Sequence, residues 1–135
     1  MQNEVFILDS NIWISYVITK RLNRLVSIIL NQNLIVLSCQ HLQEEIAMVL
    51  ARPKFKMYIK QSDIREVIAI HAKLCQNVII TETTSLLTDP KDDFLISLYK
   101  TGKATILVSG DKELLREASN LACRVMTLKE FELLG

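Results

Sequence analysis

Short apolar runs separated by amphipathic stretches of helical length constrain this chain more than any other feature. Val5-Phe6-Ile7-Leu8, Leu34-Ile35-Val36-Leu37, Val78-Ile79-Ile80, Thr105-Ile106-Leu107-Val108 and Arg124-Val125-Met126 each read as a strand. Most are continuously apolar and β-branched, which suits strands covered on both faces. Between them, Leu42, Ile46, Val49 and Leu50 form a helical stripe. It ends at Arg52-Pro53, because a residue before proline avoids helical geometry. Ile64, Val67, Ile68, His71 and Leu74 form another stripe, opened by Ser62 and Asp63. Leu114, Leu115, Ala118 and Leu121 form a third, just after Gly110. Thr127 and Glu130 have capping-box spacing for a last short helix. Strand alternating with helix predicts an α/β fold: three layers, α/β/α, around a central parallel five-stranded sheet, with the N-terminal strand near its centre.

With 135 residues, half of them apolar, the chain has the size and the core for one domain over residues 1–135. Three Gly and two Pro leave little room for long loops and exclude repeat or low-complexity classes. A net charge of +1 requires neither a nucleic-acid partner nor an acidic tail. Cys39, Cys75 and Cys123 are odd in number and lack metal-ligand spacing, so they read as small hydrophobes in a reducing compartment. Glu4 and Asp9 interrupt anything resembling an export signal, and Asn31-Gln32-Asn33 breaks the apolar stretch from Leu25 to Leu37. The expectation is a soluble, cytoplasmic protein without a membrane partner.

In open α/β sheets, ligands bind beyond the carboxyl ends of the strands, so the polar residues just after each strand are the informative ones. The first strand delivers Asp9-Ser10-Asn11 and the fourth Ser109-Gly110-Asp111. A helix after the second brings round Glu44 and Glu45, and Asp89-Pro90-Lys91-Asp92-Asp93 opens the helix before the fourth. An Asp at such a place also serves as a helix cap, and acids in a first turn suit the helix dipole. Asp9 fits that structural role least well, because it closes an apolar strand where an unpaired charge is costly. Carboxylates gathered at one point repel each other unless a cation neutralises them, and hard oxygen ligands select Mg²⁺ or Mn²⁺ over zinc. Of the two histidines, His71 lies on an apolar stripe and reads as core, and His41 reads as exposed.

Asp9-Ser10-Asn11, Glu45-Ile46 with Val49-Leu50-Ala51-Arg52-Pro53-Lys54-Phe55, Asp89-Pro90-Lys91-Asp92-Asp93-Phe94-Leu95 and Ser109-Gly110-Asp111-Lys112-Glu113-Leu114-Leu115 occur in an order that resembles the PIN domain. The similarity is greatest to the toxin components of bacterial toxin–antitoxin pairs, and it runs from Phe6 to about Phe131. It implies a metal-dependent endoribonuclease with an acidic site of Asp9, Glu45, Asp92 and Asp111. Asn11 and Ser109 would be polar helpers. Ser10 and Ser109 stand where the family usually has Thr, and Asp93 where it has Asn; Asp93 adds a negative charge beside Asp92 and is expected to support the metal ligands or to face solvent. The spacing to Leu50 and Pro53 favours Glu45 over Glu44. Asp9, Asp92 and Asp111 would then hold Mg²⁺ or Mn²⁺, with Glu45 as a further ligand or a water-orienting base.

Other classes fit less well. An aspartyl-phosphate phosphatase wants a second acid where Asn11 stands, and no GxxxxGK[ST] loop supports an NTPase. A catalytically inactive PIN-like module that binds RNA or protein remains the alternative, against which stands the presence of all four acids. Arg52, Lys54, Lys56 and Lys60 fall within nine residues, interleaved with Phe55 and Tyr58, and form the expected RNA-binding segment. An antitoxin protein and a second copy of the chain are the other partners that the resemblance implies. Trp13, Tyr16 and Val17 are the expected apolar contacts, with a place in the core the equal alternative for Trp13.

Overall fold

The computed structural model describes residues 4–83 and 85–135. Its strands are β1 (Val5–Leu8), β2 (Ile35–Ser38), β3 (Gln76–Asn77), β4 (Ile106–Val108) and β5 (Val125–Met126). They form one all-parallel sheet in the order β3-β2-β1-β4-β5. Parallel neighbours need long crossovers, and helices supply them. They are α1 (Ser10–Ile18), α2 (Leu22–Asn31), α3 (Gln40–Leu50), α4 (Gln61–Leu74), α5 (Asp93–Thr101), α6 (Lys112–Asn120) and α7 (Leu128–Glu132). The architecture is the three-layer α/β/α sandwich that the alternating pattern predicts.

The apolar runs form strands because the inner positions are covered on both faces. Phe6, Ile7 and Leu8 are buried in β1, as are all three residues of β4. The stop signals act locally. α2 ends at the Asn31-Gln32-Asn33 break, with Asn33 in the left-handed region at φ 54°, which asparagine tolerates well. α3 gives way to a 3-10 turn at Pro53–Phe55, and Thr127 and Glu130 form the capping box that opens α7. Among the described residues, no helix is long and apolar enough to cross a membrane.

Two expectations need correction. The third strand is Gln76–Asn77, two residues before the apolar run Val78-Ile79-Ile80. Gln76 pairs with Leu37 and Asn77 with Ser38, the Val78 amide adds one bond to the Ser38 carbonyl at 2.7 Å, and the chain then leaves the sheet. An edge strand of two residues needs only backbone groups to pair, so apolarity does not locate it. Trp13, Tyr16 and Val17 are not surface residues: Trp13 is fully buried and the other two nearly so. α1 packs against α2, α3 and α4, so it is covered on several sides and has no outward apolar face for a partner. His71 is core as expected, with its Nε2 bonded to the Ser38 hydroxyl and its ring against Trp13.

Candidate active site

β1 and β4 are neighbours, so the residues that follow them meet. Asp9 is 4% exposed and accepts three hydrogen bonds: the Ser10 amide on Oδ1 at 2.7 Å, and Asn11 Nδ2 at 3.0 Å and the Ser109 hydroxyl at 2.8 Å on Oδ2. The Ser109 oxygen in turn accepts from the Asp111 amide at 3.0 Å and from Asn11 Nδ2 at 3.2 Å. Asn11 Oδ1 takes the Gly110 amide at 3.0 Å. Ser109 thus spends its proton and one acceptor position tying the two strand ends together, and the other on the amide of Asp111.

Asp111 is both a cap and a free carboxylate. Its Oδ1 accepts from the amides of Glu113 and Leu114 at the start of α6, while Oδ2 has no partner among the described residues. Asp92, at the junction of a 3-10 turn with α5, is 8% exposed, and nothing in the described residues donates to its carboxylate. Burial, and then the negative charges of Asp9 and Asp89, push its carboxyl up to about 7. Burial also raises Asp9, against the opposing pull of its bonds to Ser109 and Ser10, and Glu45 and Asp111 raise it further.

α3 places Glu45 half-buried and facing these groups, whereas Glu44 is exposed and accepts from Gln40 at 2.8 Å. Asp9, Glu45, Asp92 and Asp111 all line one cleft of about 410 Å³ with Asn11. Asp93 faces elsewhere: buried, it accepts from the Leu86 and Leu87 amides and pins the loop ahead of α5. Of the basic segment, Arg52 lines the cleft. Lys54, Lys56 and Lys60 are exposed beyond it, and Lys54 rests on the ring of buried Phe55 at 5.0 Å. Sequence reasoning missed Lys91, His41 and Met48, which also line the cleft. Lys91 had a signal, since it directly precedes Asp92; His41 and Met48 had none beyond sharing the helix of Glu45.

The donor set fits a hard divalent cation. Among the described residues, none of the four carboxylates forms an ion pair, and two are strained by burial and mutual repulsion. No three acidic, imidazole or thiol groups among the described residues form a closed ligand cage. Mg²⁺ does not need one: it keeps several waters and is held by one or two carboxylates together with substrate phosphates.

The fold thus builds an acid-lined cleft at the carboxyl edge of a parallel sheet, with its leading Asp held by the end of a neighbouring strand. A family model, the PIN domain, matches residues 5–113, and the chain belongs to the PIN-domain family, whose members are generally nucleases. No curated protein matches the chain.

Proposed function

We propose that this protein is a divalent-metal-dependent endoribonuclease of the cytoplasm, the toxin of a toxin–antitoxin pair. The observation that carries the nuclease reading is the cleft into which four separate elements bring Asp9, Glu45, Asp92 and Asp111, none of which forms an ion pair among the described residues. The toxin assignment, with its antitoxin and a second copy as partners, rests on the order of motifs along the chain. Bound there, Mg²⁺ or Mn²⁺ would acidify a water and neutralise a non-bridging phosphate oxygen. Asp9, Asp92 and the free oxygen of Asp111 are the ligands in this reading, and Glu45 is a further ligand or orients the attacking water. Asn11 and Ser109 hold Asp9 in place, while Arg52 and Lys91 on the cleft wall meet the backbone of the strand.

The test is cleavage of single-stranded RNA with Mg²⁺, with Mn²⁺ and with chelator. Asp9→Asn, Asp92→Asn and Asp111→Asn should each remove nearly all activity, and pairs of these changes should cost little more than one, because residues sharing an ion act as a unit. Glu45→Gln should be severe and Glu44→Gln close to neutral. Activity that persists in chelator or in Asp9→Asn overturns the proposal.

A further inference from the structure

We propose that a hollow beside the acid cleft receives one unpaired nucleobase of the RNA strand, with His41 as the platform between base and phosphate. This rests on the nuclease reading and adds a specificity-determining subsite to it. The hollow, about 240 Å³, lies past the carboxyl ends of β2 and β3 and is lined by Gln40, His41, Asn77, Val78, Ile80 and Phe94 among others. It exists because β3 stops at Asn77, so that the following apolar run leaves the sheet and becomes a wall. His41 lines both this hollow and the acid cleft, so a strand with its phosphate in one has a neighbouring base at the mouth of the other.

The lining selects a flat, neutral ligand. Among the described residues, no Asp, Glu, Lys or Arg lines the hollow, whereas the adjoining cleft carries four carboxylates with Arg52 and Lys91. The charged part of a nucleotide therefore belongs in the cleft and the uncharged part in the hollow. The His41 ring lies flat on Phe94, with centroids 3.9 Å apart and planes 22° from parallel. Phe94 is 4% exposed and anchored in the core, while His41 is exposed, so its ring is a supported stacking surface. RNA is read chiefly through splayed bases stacked on such rings and hydrogen-bonded at their edges. The edge partners are present as well. The Asn77 amide makes no side-chain hydrogen bond among the described residues, and Gln40 donates to Glu44 while its carbonyl oxygen stays free. Between them they offer both donors and acceptors.

The test uses the cleavage-dead Asp9→Asn protein and short single-stranded RNAs in which an abasic site is moved along the chain. One abasic position should weaken binding roughly fivefold or more, the lower end of what base–aromatic stacking contributes. Adding His41→Ala should erase that discrimination, and His41→Phe should keep it. Asn77→Ala should leave the stacking loss intact but flatten the preference among bases at that position. If no abasic position matters, or if discrimination survives His41→Ala, while the unmodified protein still cleaves RNA with Mg²⁺, the base pocket is wrong and the nuclease reading stands. If the unmodified protein neither binds nor cleaves RNA, both fall.

Discussion

The Ser109 hydroxyl donates to Asp9 Oδ2 at 2.8 Å across 100 residues of chain. The bond stabilises the charged form of a buried carboxylate, and it ties the end of β1 to the end of β4. Ser109→Ala should therefore lower stability by about 2 kcal/mol, the usual loss for a hydrogen bond to a charged group, and lower the melting temperature by several degrees. It should also weaken divalent-ion binding, because Asp9 loses its orienting partner. Thermal melts with and without Mg²⁺ check both effects, and a variant indistinguishable from the parent in both would show that the bond carries neither load.

One oxygen of Asp111 caps α6, while the other has no partner among the described residues. Asn at this position keeps a capping oxygen for α6 but surrenders the charge, whereas Ala surrenders both. In chelator, Asp111→Asn should melt close to the parent and Asp111→Ala should be about 1 kcal/mol less stable. With Mg²⁺ present, the parent should gain stability by mass action and both variants should gain much less. An Asn variant that kept the full increment would remove Asp111 from the ligand set.

Acid–base linkage gives the metal-free protein an unusual profile. The Asp92 carboxyl, at about 7 instead of 3.8, holds a proton in the fold that the unfolded chain has already released. Its contribution is therefore present at acid pH and is lost as pH rises from about 4 through about 7. Burial lowers His71 from 6.5 to about 4, so its contribution is present above about 6.5 and is lost as pH falls towards 4. The two oppose each other over one window. Asp92→Asn removes the first, so in chelator it should be more stable than the parent at about pH 8 and should lose stability more steeply on acidification. Superimposable curves of melting temperature against pH would mean that Asp92 is not strained.

Arg52 and Lys91 stand on the cleft wall, while Lys54, Lys56 and Lys60 lie beyond it. In the Asp9→Asn background, replacing Arg52 and Lys91 with Gln should reduce the salt dependence of single-stranded RNA binding by about 0.7 per contact removed. The Lys54, Lys56 and Lys60 triple replacement should reduce it further if the strand continues along that segment. An unchanged slope in the triple variant would send the strand out of the cleft on its other side.

The strand ends were the most readable part of the site. Asp9 and Ser109 each follow an apolar run buried on both faces, so the run, its end and the polar residue after it are all visible in one dimension. Glu45 was readable because Leu50 and Pro53 set the register of α3. Asp93 was not: two adjacent aspartates at the junction of a 3-10 turn and a helix face opposite ways, one to the cleft and one to the Leu86 and Leu87 amides. β3 escaped because hydrophobicity reports burial, whereas an edge strand is defined by pairing. Tyr16 and Val17 were misjudged, and Trp13 was left open, because a helix covered on several sides carries no amphipathic stripe to say which way it faces.

The strand order sets a schedule for biosynthesis. β1, β2 and β3 pair on one side of the sheet from the first 77 residues, yet β1's other neighbour does not begin until Ile106. During synthesis, Asp9 leaves the ribosome long before Ser109, and contacts this far apart in sequence form late. A nascent chain therefore carries the scaffold of half a sheet with its leading carboxylate lacking the Ser109 bond and the Asp111 wall missing. The acid cleft closes only when β4 docks beside β1, so the centre cannot be complete until Ser109 and Asp111 have both been made.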